Sequence, residues 1–280
     1  MTPLIVKILL TCLAAYCIIL VLAYFLQEKM MFFPSGEFGK CPQAEHMEVS
    51  AVEAGNLRFY IRKADRPELC MVFFHGNAGS ACDRMYFIEM FKDLPADLVV
   101  FEYPGYGGDP RKPGENMILE EALALIKHLQ STFSEKTPVF LAGESLGCGV
   151  VTYLAGQTRV KGLILISPYT SIVDVAAAHY PFLPVRLLAR NRFPAGEWAQ
   201  NVKDPAIAFH GKIDTIIPIR FARQQMENFQ QEAQLVEIEN TGHNDILVNG
   251  RELIRSRVKQ FIRNHTAGTN RYSGNSREYF

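Results

Sequence analysis

A serine between two glycines is the residue of this chain best suited to covalent chemistry. Gly143-Glu144-Ser145-Leu146-Gly147 directly follows an apolar run at residues 138–142. This order is typical of a strand, a sharp turn and a helix that display a serine on the turn. Glycine lacks a Cβ, so both glycines let neighbouring backbone pass close to the turn. The pattern predicts Ser145 as the nucleophile of an acyl-transfer reaction.

Such a serine needs a histidine that accepts its proton. In this arrangement the chain order is serine, acid, histidine, so the base must follow Ser145. His243 lies in a polar loop between the last predicted strand and the last predicted helix, from which it can reach the turn. His179 lies in an apolar insertion, His210 ends a strand, and His265 lies in a polar C-terminal segment. We therefore predict His243 as the general base.

The acid that orients the histidine should also follow a strand end. Asp214 comes four residues after His210, at the same predicted edge of the sheet as the serine turn. Asp174, beyond the preceding strand, is the alternative, because the acid can be displaced by one strand. The non-catalytic alternative for either aspartate is that it caps a helix or is a solvated charge in a loop. Asp214 is the predicted orienting acid.

Acyl transfer also requires N–H donors directed at the developing oxyanion. The backbone N–H of Leu146 supplies one at the start of the helix after the serine. The second is predicted from the glycine-containing loop at residues 75–79, where we assign Asn77, with Ala78 as the alternative. His75 precedes the serine in the chain and is expected to brace this loop.

Apolar strands alternate with helical patterns along most of the chain, which favours a mostly parallel, doubly wound sheet of the α/β class. A hairpin is predicted at residues 47–63. Further strands are predicted at residues 69–74, 97–102, 138–142, 162–167, 205–210 and 235–239. Residues 173–204 interrupt the alternation with apolar side chains and three prolines, and are predicted to be a small cap over the carboxyl edge of the sheet. Residues 264–280 are predicted to be a disordered tail.

Residues 8–26 contain no charged side chain, and as a helix they would span about 28 Å, close to the thickness of a bilayer core. We predict a single-pass membrane anchor at residues 1–29, followed by a catalytic domain at residues 30–263. A cleaved signal peptide is the main alternative, but no small-x-small cleavage site follows the run. The second alternative to a membrane anchor is a buried core helix. Lysines flank both ends, so the side of the membrane stays open.

Composition excludes several other classes of protein. Lys+Arg and Asp+Glu both number 29, so no basic surface indicates nucleic-acid binding. The six cysteines show no zinc-binding or redox spacing. Cys70 and Cys148 are predicted to be buried apolar side chains rather than disulfide partners. No metal or cofactor is expected.

Six motifs in order resemble the α/β-hydrolase superfamily: HGNAG at 75–79, YPGYG at 103–107, GESLG at 143–147, SPYTS at 167–171, HGKID at 210–214 and GH at 242–243. More narrowly, residues 30–265 resemble the membrane-anchored α/β-hydrolase-domain proteins, some of which remove palmitate from protein cysteines. That family usually has Asp-x-x-Gly-x-Gly-x-Ser where this chain has Glu102 first and Asp109 last. Both departures are expected to be structural.

The resemblance and the anchor together imply a serine esterase or thioesterase. Its substrate would be a small molecule or a lipidic acyl group, an acylated protein among the candidates. A peptidase of the same fold is an alternative, and it would need an acidic group for the substrate amine: Asp174, Glu197 or Asp204. A hydrolase fold retained as a non-catalytic receptor is the third possibility, because fold alone does not determine function.

Overall fold

A computed structural model describes residues 3–134 and 137–266. The strands in these ranges are β1 (Phe33–Pro34), β2 (Ser50–Ala54), β3 (Leu57–Arg62), β4 (Leu69–Phe74), β5 (Ala78–Gly79), β6 (Ala96–Glu102), β7 (Val139–Glu144), β8 (Gly162–Ile166), β9 (Ala206–Gly211) and β10 (Ala233–Ile238). The helices are α1 (Pro3–Met31), α2 (Pro42–Glu45), α3 (Met85–Phe91), α4 (Glu115–Thr132), α5 (Leu146–Gln157), α6 (Ile172–His179), α7 (Val185–Leu188), α8 (Ala195–Ala199), α9 (Ile219–Glu227), α10 (Ile246–Asn249) and α11 (Arg251–Thr266).

Eight strands form one sheet in the order β10-β9-β8-β7-β4-β6-β3-β2. The six strands from β10 to β6 run parallel, whereas β3 is antiparallel to β6 and β2 is antiparallel to β3. The predicted mostly parallel, doubly wound sheet of the α/β class is confirmed. The predicted opening hairpin is confirmed as β2 and β3, joined at Gly55 and Asn56.

The central strands are buried on both faces because helices cover each side of the sheet. In β4, Cys70, Val72 and Phe74 pack in the layer that holds α4 and α5, whereas Met71 and Phe73 pack in the layer that holds α3 and α11. This alternation follows from the two-residue period of a strand. It explains why these strands are apolar at every position.

The direction in which successive parallel strands are added to the sheet reverses at β4. From β4 the chain moves to β6 on one side, and it later returns to place β7 on the other side. Loops that leave the carboxyl ends of β4 and β7 therefore diverge and open a crevice, the usual ligand site of such sheets. Residues 75–79 and Ser145 lie at these two strand ends.

Helix α1 lies outside this core but is joined to the crevice. It is 29 residues long, its side chains are exposed or half-buried, and its length and composition suffice to cross a membrane. Phe33–Pro34, directly behind it, pairs in parallel with Ala78–Gly79 as a separate two-stranded sheet. Helix α1 is thus attached to the loop at residues 75–79, which follows β4 at the carboxyl edge of the main sheet.

Two predicted boundaries were wrong. The cap was predicted over residues 173–204, but Phe193, Ala195, Ala199 and Val202 are buried in the main core, where α8 packs against α5. The cap therefore ends near Arg192. The predicted tail began at residue 264, but α11 continues to Thr266. The rest of the predicted tail lies outside the described residues.

Candidate active site

Ser145 stands on a strained turn between β7 and α5. Its φ of 51° and ψ of −114° lie in a region that non-glycine residues rarely adopt. A Cβ on Gly143 would lie 2.4 Å from the carbonyl oxygen of Gly147, and a Cβ on Gly147 would lie 2.0 Å from that of Phe74. Both glycines are therefore steric requirements, as expected from the sequence.

The structure brings Ser145, His243 and Asp214 into one hydrogen-bonded series. His243 Nε2 lies 3.2 Å from Ser145 Oγ, and its Nδ1 lies 2.7 Å from Asp214 Oδ2. With Nδ1 protonated, Nε2 has a free lone pair directed at the serine hydroxyl. These distances are within the reach that proton transfer from a serine to a histidine requires.

Asp214 is held as a carboxylate by donors on both of its oxygens. Oδ1 accepts hydrogen bonds from the backbone N–H groups of Ile216 and Ile217, at 2.8 and 2.7 Å. His210 Nε2 lies 3.3 Å from Oδ2, beside the bond from His243. Burial acts to raise the pKa of Asp214, but hydrogen bonds from His210 and His243 outweigh it and hold the pKa well below 3.8.

The alternative candidates have other partners. The Asp174 carboxylate accepts hydrogen bonds from Thr170 and Arg186, and Ser171 caps the helix that carries it. His179 donates from Nε2 to Ile216 O, and His265 contacts the backbone of its own helix. None of these side chains has a described hydrogen bond to Ser145, Asp214 or His243.

The predicted oxyanion donors lie at the same edge of the sheet. Leu146 is the first residue of α5, so its N–H has no acceptor within the helix. Asn77 and Ala78 line the same groove as Ser145 and His243. The carbonyl of Asn77 accepts hydrogen bonds from Phe33 N–H at 2.9 Å and from Tyr106 Oη at 2.8 Å, which fix the loop.

His75 braces this loop from within the core, as predicted. It is fully buried, its Nε2 lies 3.6 Å from Glu102, and Tyr103 Oη donates to its carbonyl oxygen. Glu102 also accepts the Ala81 N–H. Asp109 pairs with Arg58 and Arg111. Both departures from the family pattern therefore have structural roles, as expected.

Sequence reasoning missed two groups of supporting side chains. His210 was read only as a strand-end residue, although its four-residue spacing from Asp214 places it beside the carboxylate. Arg84 donates to Glu144 in the serine turn at 3.0 Å and to Ala78 O at 2.8 Å. It therefore bridges the turn and the loop at residues 75–79, called the oxyanion loop below after its predicted role. Nothing in its local sequence indicates this bridge, because Arg84 and Glu144 are 60 residues apart.

An apolar groove of about 540 Å³ opens at Ser145. None of the described residues that line it is an Asp, Glu, Lys or Arg. Its walls are the oxyanion loop, the cap and the C-terminal half of α1, and its lining is Ala23, Gln27, Met30, Met31, Phe33, Asn77, Ala78, Ser145, Leu146, Ile172, Val175, Ala176, His179, Tyr180, Leu183, Val185, Leu188, Ala189, Asn191, Ile216, Ile217, His243 and Asn244. Its volume is typical of small-ligand sites.

Residues 70–203 match the family model described as the alpha/beta hydrolase fold. An uncharacterized protein of Mycobacterium tuberculosis is 32% identical over 191 residues, which are 67% of this chain and 67% of that protein. The chain belongs to the α/β-hydrolase superfamily. Alpha/beta hydrolase domain-containing protein 17C of Mus musculus is 26% identical over 207 residues, covering 72% of this hydrolase and 62% of that protein.

Solved structures share the fold of this hydrolase at low sequence identity. The Pyrococcus furiosus esterase Pf2001 aligns with a TM-score of 0.66 and 15% identity, over 84% of this chain and 97% of that chain. The monoacylglycerol lipase of Paleococcus ferrophilus aligns with a TM-score of 0.58 and 20% identity, over 74% of this chain and 98% of that chain.

Proposed function

We propose that this chain is a membrane-anchored serine hydrolase that cleaves carboxylic ester or thioester bonds of lipidic acyl groups. The observation that carries the proposal is the hydrogen-bonded series from Asp214 through His243 to Ser145, at the mouth of an apolar groove. A serine hydroxyl without a base to accept its proton would be a poor nucleophile. Here the serine, the base and the orienting acid are all within reach of one another.

In the first half of the reaction, Ser145 Oγ forms a bond to the acyl carbon while its proton moves to His243 Nε2. The carbonyl oxygen becomes an oxyanion, which the N–H groups of Leu146 and Asn77 stabilise. His243 then gives that proton to the departing alcohol or thiol, and the bond to the leaving group breaks. Asp214 keeps Nδ1 of His243 protonated and stabilises the imidazolium.

In the second half, water attacks the acyl-enzyme and His243 accepts its proton. The bond between Oγ and the acyl carbon breaks, Ser145 recovers a proton from His243, and a fatty acid leaves. No electron transfer is involved. Within the described residues no cluster of three or more metal-ligating side chains occurs, and the steps above use only the side chains and N–H groups named.

A lipidic acyl group suits the groove because its lining is uncharged and mostly apolar. An 18-residue stretch of the adjacent helix α1 has a mean hydropathy of 2.7, and none of its side chains is buried. Residues 1–29 would hold the domain at residues 30–263 on a bilayer, where long-chain substrates reside. An uncleaved anchor is favoured over a signal peptide because α1 and the residues behind it bond to the oxyanion loop and the cap.

The peptidase alternative is less well supported by the groove. Its candidate acidic groups, Asp174, Glu197 and Asp204, do not line the groove. A substrate amine would therefore meet no carboxylate among the described residues that line the groove. The receptor alternative leaves unexplained why Asp214, His243 and Ser145 are aligned at hydrogen-bonding distances.

The test compares the full chain with Ser145→Ala in hydrolysis of p-nitrophenyl esters from acetyl to palmitoyl and of a palmitoyl-thioester peptide. We expect a preference for long chains, and a loss of kcat of at least about 10³-fold in Ser145→Ala. A fluorophosphonate probe should label the wild type only. Labelling with short-chain activity alone would contradict the lipid substrate. Absence of both labelling and hydrolysis would contradict the hydrolase function itself.

A further inference from the structure

One face of α1 forms a wall of the groove that contains Ser145. Ala23, Gln27, Met30 and Met31 line the groove, at offsets of four, seven and eight residues. This spacing places them on a single face of a helix. From Ala23 to Met31 the wall is about 12 Å long, at 1.5 Å per residue. Its end lies beside the oxyanion loop.

The C-terminal end of α1 is bonded to the oxyanion loop itself. Asn77 Nδ2 donates to the carbonyl oxygen of Met31 at 2.8 Å. Phe33 N–H donates to the carbonyl oxygen of Asn77 at 2.9 Å, and Ser35 N–H donates to that of Gly79 at 3.0 Å. The helix is therefore positioned relative to the candidate oxyanion donor by direct hydrogen bonds, and the linker between them is short.

The same helix is also bonded to the cap. Gln27 bridges two groups of the cap, because it donates to Leu188 O at 3.1 Å and accepts from Arg190 N–H at 2.8 Å. The Arg190 guanidinium lies 3.3 Å from Glu28 and 5.2 Å from the Tyr24 ring centroid. A helix that served only as a tether would need none of these contacts. They fix the width of the groove between α1 and the cap.

The outer rim of the cap continues the apolar surface of α1. Tyr16 Oη donates to Phe182 O at 2.7 Å, so this rim lies beside the uncharged run of α1. Phe182 and Leu187 are 62% and 86% exposed. Tyr16 is about 22 Å along the helix from Met31. Contiguous exposed apolar surface of this kind is typical of a membrane-facing site.

We propose that α1 is part of the acyl-binding site and that its groove face selects long acyl chains. The acyl chain of the substrate enters from the surrounding leaflet between α1 and the cap, and it lies along the face of α1 from Ala23 to Met31. Its carbonyl carbon then reaches Ser145 without crossing water. This inference rests on the proposed hydrolase function. It assigns a substrate-binding role to a helix that composition alone describes as an anchor.

The first test narrows the groove from the helix side. Ala23→Phe places a ring in the groove, and the ratio of palmitoyl to acetyl kcat/KM should fall at least tenfold. Ala14→Phe is the matched control, because Ala14 does not line the groove and lies about 180° around the helix from Ala23. The control should keep the wild-type ratio. Full chains in phosphatidylcholine vesicles are compared.

The second test uses the wild type, so it does not depend on folding of a variant. A fluorophosphonate with a long alkyl chain and a terminal diazirine is attached to Ser145 and then irradiated. Mass spectrometry should place the crosslink in residues 16–31 of α1. Crosslinks found only elsewhere in the protein or only on lipid would overturn the proposal, even where Ala23→Phe changes the ratio.

The outcomes separate this inference from the proposed function. If wild type hydrolyses esters through Ser145 but Ala23→Phe and Ala14→Phe keep the same chain-length profile, the role of α1 is wrong and the hydrolase stands. If Ala23→Phe loses activity on both esters, the crosslink decides. If the wild type neither hydrolyses esters nor reacts with the probe, both proposals fail.

Discussion

Asp214 shows how single residues set the chemistry of this site. Three N–H groups bond to one buried carboxylate, those of the Ile216 and Ile217 backbone and of the His243 ring, and His210 Nε2 lies 3.3 Å from it. A charge with this many donors stays ionised in spite of burial. His243 therefore keeps its proton on Nδ1, and Nε2 remains available to Ser145.

We predict that Asp214→Asn lowers both activity and stability at pH 7. The folded protein holds the pKa of Asp214 well below 3.8, so its charge stabilises the fold above that pH and the contribution is lost as pH falls towards the folded-state pKa. The difference in unfolding free energy between wild type and variant should therefore narrow below about pH 4. Urea unfolding from pH 3 to pH 8 measures this. The wrong tautomer of His243 should lower kcat by on the order of 10³- to 10⁴-fold.

Asp204→Asn is the control, because the pKa of Asp204 is shifted in the opposite direction to that of Asp214. Burial raises the pKa of Asp204, with only partial compensation from the Val160 N–H and from Lys161 and Arg159. Its charged form therefore does not favour the fold at pH 7, and the variant should be no less stable than wild type there. Equal losses of stability in both variants at pH 7 would contradict the assignment of Asp214 as a stabilising carboxylate.

The serine, histidine and aspartate could be selected from the sequence because chain order excludes most candidates. Arg84 could not, because its contacts depend on packing, and His210 was missed although it lies only four residues before Asp214. His210 reaches Asp214 only once β9 and the loop behind it are folded. Arg84 and Glu144 meet because β4 and β7 are neighbours in the sheet. The catalytic residues can therefore be selected from their order along the chain, whereas the contact between Arg84 and Glu144 depends on the folded sheet.

At the scale of elements, the turn between β7 and α5 is the least tolerant part of the chain. A Cβ on Gly147 would meet backbone atoms of Phe74 and His75, which cannot move without displacing β4. We predict that Gly147→Ala lowers the unfolding free energy by about 3 kcal/mol or more, the upper range for overpacked sites. Chemical denaturation of the purified full chain measures it, with labelling of Ser145 as a second readout.

Gly156→Ala in the same helix is the matched control. The nearest atoms to a Cβ there lie at 3.7 and 3.9 Å, which is ordinary contact. Alanine in a helix is favoured over glycine by roughly 0.5–1 kcal/mol, so this variant should be as stable as wild type or slightly more stable. If Gly147→Ala and Gly156→Ala had the same unfolding free energy, the described close approach of the turn to β4 would be contradicted.

The strands were predictable because central strands of this sheet are buried on both faces and are apolar throughout. The end of the cap was not predictable. An apolar composition indicates that a segment is buried, but it does not indicate which surface the segment packs against. Phe193 and Trp198 were assigned to the cap on composition. Phe193 is instead buried in the main core, and Trp198 packs against Phe193 and against Tyr153 of α5. The end of α11 was missed because polar residues at a helix end resemble a tail.

At the scale of the whole molecule, α1, the cap and the sheet edge form one connected site. The sequence predicts an anchor from the uncharged run alone. Its hydrogen bonds to Asn77, Phe182 and Leu188 depend on how the cap folds back, and no periodic signal in α1 reports them. The helix is therefore coupled to the groove by contacts that only the folded chain reveals.

A disulfide between Cys41 and Cys82 was likewise missed by sequence analysis. Their Cα atoms are 5.5 Å apart, which suits a disulfide, but 41 residues separate them in the chain. Cys70 and Cys148 are buried and free, as predicted. The bond joins the segment behind β1 to the segment behind β5, so it fixes the connection of α1 to the oxyanion loop.

Disulfides persist in oxidising compartments, so we predict that the hydrolase domain faces the non-cytoplasmic side of its membrane. Lys7 would then lie on the cytoplasmic side and Lys29 towards the opposite side, so the prediction depends on the disulfide rather than on the positive-inside rule. The measurement counts maleimide–polyethylene glycol adducts on acid-quenched, denatured protein taken directly from cells. Cys12, Cys17, Cys70 and Cys148 are free, so four adducts are expected without reductant and six, one on each cysteine, after reduction.

Cys41→Ser tests whether the pairing is the one described. Removing one of the six cysteines frees Cys82, so five adducts are expected with or without reductant. Cys70→Ser keeps the pair, so three adducts without reductant and five with it are expected. Six adducts on unreduced wild type would show that the protein resides in a reducing compartment, and the predicted side of the membrane would then be wrong. Because the pair joins the segment behind β1 to the segment behind β5, its loss should also loosen the contact of α1 with the oxyanion loop.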